Sequence, residues 1–112
     1  MEQSTREFDD LLLESIEETI TVLLSREVVD ALYECLRTVH SISREQVPSR
    51  LNILSSVLDK TFGPRGSATI SRAIARKFYS KLALTFSNNP GGSLPEHVEW
   101  ARVKLQEREH SP

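Results

Sequence analysis

The chain has 112 residues, with 14 Lys and Arg against 16 Asp and Glu, a formal net charge of −2 and 38% apolar residues. That size and balance fit one domain with its own core and exclude wholesale disorder. No apolar run reaches the ~18 residues that a bilayer span requires, residues 1–7 lack the basic flank of a secretion signal, and a lone cysteine, Cys35, excludes an internal disulfide and a cysteine-built zinc site. A cytoplasmic protein with no membrane partner is expected.

The first helix is expected from Phe8. Phe8, Leu12, Leu13, Ile16, Ile20, Leu23 and Leu24 fall on one broad face at helical spacing, and Asp10, Glu14, Glu17 and Thr21 fall on the other. Asp9 and Asp10 suit the positive end of the helix dipole. Leu11 and Val22 lie on a flank and are candidates for a second contact surface. Ser25 reads as the N-cap of a second helix, about Arg26 to His40, with Val28, Val29, Leu32, Cys35, Leu36 and Val39 on its buried side. Within that stripe Cys35 reads as a small hydrophobe rather than a nucleophile.

Ser43-Arg44-Glu45-Gln46 matches a capping box, and Pro48 suits the first turn of a third helix that buries Leu51, Leu54, Val57, Leu58 and Phe62. Gly63-Pro64 stops it. A fourth helix, from about Ser67 to Phe86, buries Ile70, Ile74, Phe78, Tyr79, Leu82 and Phe86. Its other side carries Arg72, Arg76, Lys77 and Lys81 with no acid among them. The Asn/Pro/Gly run at 88–93 is a linker. A fifth helix, about Pro95 to Arg108, carries Val98, Ala101 and Leu105 on one side and Trp100 and Val103 on another; it docks, swaps onto a partner or frays. No strand-type alternation and no internal repeat are present. The expected fold is therefore all-α: a compact four-helix bundle over residues 6–87, the linker, and a C-terminal helix over 94–110.

Charge is segregated along the chain. Residues 1–34 hold ten acids and two bases, whereas residues 35–94 hold nine bases and two acids. The halves fold on each other, two copies pair, or the basic half meets an anionic partner. Arg65, Arg72, Arg76, Lys77 and Lys81 are the candidate contacts to such a partner, nucleic acid included, because several such side chains together neutralise phosphates. Leu11, Val22 and Trp100 are the candidate apolar anchors of a protein interface.

Catalytic patterns are weak. Glu107 and His110 form a single Glu-x-x-His pair, half of what a di-iron helical site uses. Glu14, Glu17 and Glu18 cluster on the expected polar face of the first helix, where solvation keeps carboxylates ordinary. The string Thr61-Phe62-Gly63-Pro64-Arg65-Gly66-Ser67 is similar to the nucleotide-holding Gly-Pro-basic-Gly loop of chaperonins over about seven residues, and a helix stop, turn and restart explain the same residues. No enzyme, metal or cofactor is expected.

A family likeness follows from the apolar spacing and two anchors. Phe8-Asp9-Asp10 with Leu12 and Ile16, Val47-Pro48, Leu51, Leu54, Leu58, Phe62-Gly63, Ile70, Ile74 and Tyr79-Ser80-Lys81-Leu82 resemble the small helical "Nitrososphaera output domain" type. The likeness spans roughly residues 6–86. It implies an effector element of archaeal signalling proteins, without catalytic residues to transfer. This chain departs from that pattern in adding the linker and the last helix. A non-catalytic interaction or output module, homodimeric or bound to another protein, is the expected function; a DNA- or RNA-binding regulator is the alternative.

Overall fold

A computed structural model describes residues 2–86 and 93–110, with side chains described over 6–86 and 93–107. Among the described residues every regular element is helical: α1 (Glu2–Leu23), α2 (Arg26–His40), a 3-10 segment (Arg44–Ser49), α3 (Leu51–Lys81) and α4 (Leu94–His110). The fold is all-α. Apart from Ser93, the expected linker at 88–93 lies outside the described residues.

Local chemistry explains most boundaries. The Ser25 hydroxyl accepts from the Val28 amide at 3.3 Å, capping α2 as expected. At the other end Ser41 turns left-handed, with φ 56°, and the Ile42 amide donates to the Leu36 carbonyl at 2.9 Å. That closure folds Ile42 into the core. The Ser43 amide donates to Gln46 Oε1 at 2.9 Å, so the capping-box pair forms, but it opens the 3-10 segment rather than an α-helix. Pro48, which has no amide hydrogen, is buried within that segment, and α3 begins after it at Leu51.

The expected stop at Gly63 is a sharp joint inside α3. Gly63 has φ 76° and ψ 166°, a region open almost solely to glycine, and helical backbone continues at once on the far side. Pro64 there occupies a position whose amide needs no partner. The second arm thus starts before Ser67, and it ends at Lys81 rather than Phe86. Ala83 is left-handed, with φ 58°, and the Leu84 amide reaches the Tyr79 carbonyl at 2.9 Å. Leu82, Leu84 and Phe86 then fold back against the core.

α3 is the central element, in contact with α1, α2 and α4. Leu12, Ile16 and Ile20 of α1 and Leu54, Leu58, Ile74 and Phe78 of α3 are essentially inaccessible. Side chains of this size contribute roughly 1.5–3 kcal/mol each when fully buried. Of its three expected fates, α4 docks: Leu94, Val98 and Ala101 are buried, and Tyr79 donates its hydroxyl hydrogen to the His97 carbonyl at 2.7 Å. Three expected core residues are not in the core. Leu23 and Leu24 are about half exposed, and Val39 is 68% exposed. Each sits at a helix end, where the apolar stripe runs past the neighbouring elements, and near Val39 the residue that turns inward is Ile42.

Candidate interaction surface

The last turns of α1 run beside the second arm of α3 and leave an open groove between them. Towards α2 it is lined by Glu14, Glu17, Glu18, Thr21, Val22, Arg26 and Lys77. Further along it is lined by Glu18, Thr19, Val22, Leu23, Ala73, Arg76, Lys77 and Ser80. Val22 is 80% exposed. Beneath the groove Thr19 is buried, and its hydroxyl has no hydrogen-bond partner.

The acidic and basic halves meet along this seam. Lys81 Nζ lies 2.8 Å from Glu18 Oε2. That hydrogen bond holds the Glu18 carboxyl below the usual range and the Lys81 amine above it. The Arg76 guanidinium stands 5.8 Å from the centre of the Phe86 ring. Of the five candidate basic contacts, Arg76 and Lys77 line the groove, Lys81 is occupied by Glu18, Arg72 is half-buried, and Arg65 is exposed beside the Gly63 joint. Of the three apolar anchors, Val22 lines the groove and Trp100, 59% exposed, lies on α4. Leu11 is half-buried and packs against the core, so it is the least accessible of the three.

Glu17 behaves differently from its expected place on a solvated face. Its Oε2 accepts from the Tyr33 hydroxyl at 2.7 Å and from Arg44 Nε at 2.6 Å, while Arg26 approaches Oε1 at 3.9 Å. One carboxylate therefore joins α1, α2 and the 3-10 segment. Burial alone raises its pKa, but the hydrogen bonds from Arg44 and Tyr33 and the nearby charges of Arg44 and Arg26 outweigh that and hold it below the usual range. Burial and the bond to Glu17 push the Tyr33 phenol far up.

The sign of the resulting pH dependence is fixed. A carboxyl whose folded pKa is depressed adds stability above its unfolded value, about 4.5, and loses it as pH falls through the folded value. Asp9 works in the opposite sense, because burial raises its pKa against the opposing charge of Arg102. Urea titrations of the wild type and Glu17→Gln between pH 7 and pH 3 therefore isolate the Glu17 contribution. The variant is expected to be less stable by roughly 1.5–3 kcal/mol at pH 7, with the gap narrowing below about pH 4.5. A constant gap over that range would remove Glu17 from the network.

Among the described residues no three His, Cys, Asp or Glu side chains converge to hold a metal ion, and the His110 side chain lies outside them. In the Gly63–Gly66 stretch, a Cβ added at Gly66 would lie 3.0 Å from the Phe62 Cβ, so close packing accounts for that glycine. Comparison with known families, characterised proteins and solved structures found no significant match.

Proposed function

We propose that the chain is a non-catalytic helical interaction and output module of archaeal-type regulation, acting as a homodimer through the α1/α3 groove. The observation that carries this reading is the groove itself: Val22 and Leu23 stand exposed beside Arg76 and Lys77, an apolar strip with a charged rim. Interfaces are anchored by a few such apolar residues, while rim charges set partner choice and approach. The regulatory setting is supported by the resemblance of residues 6–86 to the output-domain type. Two carboxylates of the groove are engaged in structural pairs, Glu17 with Tyr33 and Arg44 and Glu18 with Lys81, which suits a docking surface better than a reactive centre.

The nucleic-acid alternative draws on the exposure of Arg65, Arg76 and Lys77 along the second arm of α3. Glu14 and Glu18 beside Lys77, and the Lys81–Glu18 pair, weaken the field such a surface offers phosphate. Two measurements separate the readings. The sedimenting mass is expected to rise from monomer towards dimer as protein concentration rises and to stay monomeric in Val22→Glu, with no mobility shift of duplex DNA or RNA at low salt. A shift that weakens steeply with salt and vanishes in Arg72→Ala/Arg76→Ala would overturn the interaction reading.

A further inference from the structure

The back of the second arm of α3 carries a line of cations. Ile70, Ile74 and Phe78 are buried on its inner side, while Arg65, Arg72 and Arg76 stand at i, i+7 and i+11, within about 40° of one another around the helix. Arg65 and Arg76 are exposed and Arg72 is half-buried. The residues beside them on this face are small: Ala68 and Thr69 are exposed and Ala73 is half-buried. Arg26, Arg37, Arg44, Lys81 and Arg102 each stand against a carboxylate. Among the described residues the three guanidinium groups of this line have none. The sequence contains no Asp or Glu from Lys60 to Pro95, so the arm brings no acid of its own to the face.

Charge density decides which anion fits. The line from Arg65 to Arg76 is roughly 16 Å long. A nucleic-acid duplex carries about ten charges over that length against these three cations, and at the edge of the face it runs into Glu14 and Glu18 beside Lys77. Thr69 gives its hydroxyl hydrogen to the Arg65 carbonyl at 3.0 Å and has none left for a phosphate. A protein helix with carboxylates at i, i+7 and i+11 presents three charges over the same 16 Å or so, one to each arginine. The small side chains of Ala68, Thr69 and Ala73 let its backbone come close.

We infer that the back of the second arm of α3 docks an acidic helix of another protein, with its carboxylates on Arg65, Arg72 and Arg76. The inference goes beyond the homodimer reading and does not depend on it. Arg65 and Arg72 lie outside the α1/α3 groove, so substitution there leaves the groove intact. Exposed ion pairs are individually weak, so the contact is modest in affinity and falls with salt.

Fluorescence anisotropy on the full chain tests it with three labelled probes. The first is an alanine-rich helical peptide of ~20 residues with Glu at i, i+7 and i+11; the second is the same peptide with Gln at those positions; the third is a duplex DNA of similar length. The Glu peptide is expected to bind at low salt and to weaken as salt rises, and the Gln peptide to bind at least about tenfold more weakly. Arg65→Gln/Arg72→Gln is expected to lose about tenfold in affinity for the Glu peptide, with circular dichroism and sedimentation unchanged. No binding of the Glu peptide, equal binding of both peptides, or a variant that binds like the wild type would overturn the inference. Tighter binding of the DNA than of the Glu peptide would also overturn it and assign the face to nucleic acid. A chain that sediments as a monomer yet binds the Glu peptide through Arg65 and Arg72 would remove the homodimer reading while supporting this one.

Discussion

Phe78→Ala is expected to cost roughly 3–5 kcal/mol of folding stability, the largest effect of any single truncation considered. Phe78 is fully buried, and its ring meets Phe8 edge to face with centroids 5.0 Å apart. Arg102 of α4 stands 4.5 Å from the centre of that same Phe8 ring. The cavity left by truncation would therefore lie where α1, the second arm of α3 and α4 come together. A domain of this size has only about 5–15 kcal/mol in total, so the variant should unfold at a much lower urea concentration. Phe78→Leu keeps most of the volume and should cost less than half as much. Equal small effects from both would mean that α1 does not pack on α3 as described.

The second large effect is expected at Gly63, through backbone strain rather than packing. Nothing lies within 4 Å of a Cβ added there, yet φ 76° with ψ 166° excludes ordinary L residues. Gly63→Ala is expected to lose about 1–3 kcal/mol in equilibrium urea unfolding. Gly66→Ala is the internal comparison. Its Cβ would meet Phe62 at 3.0 Å, but its backbone is helical, and gain in helix propensity offsets part of the crowding. If Gly63→Ala were the milder of the two, the joint would not have the conformation described.

Features governed by neighbouring residues were legible in the sequence. Ser25 caps α2, Gly63 breaks the helical backbone, and Trp100 and Val103 face away from the inner side of α4. Features that depend on where one element ends against another were not. The periodicity places Leu23, Leu24 and Val39 on buried faces, but it carries no information about how far the neighbouring helices extend. The capping pair at Ser43 and Gln46 forms as expected, yet the pattern does not distinguish a 3-10 start from an α start when Pro48 follows. Glu17 shows the same gap at the candidate site. Its partners Tyr33 and Arg44 lie 16 and 27 residues away, and no local pattern pairs them. Charge segregation gave the one long-range hint, that acidic α1 and the basic arm of α3 face each other, and Glu18–Lys81 realises it.

The joint at Gly63 also settles a problem of rotational phase. At about 100° per residue, an unbroken helix would put Leu51, Leu54 and Leu58 on roughly the opposite side of the cylinder from Ile70, Ile74 and Phe78. A straight rod with that sequence would have to leave one of the two stripes in water. Resetting the helical phase at a single residue lets both stripes turn towards one interior. It also fixes the azimuth at which the second arm presents Arg76 and Lys77 beside α1, so one residue without a side chain governs both how the interior closes and which charges the exterior displays.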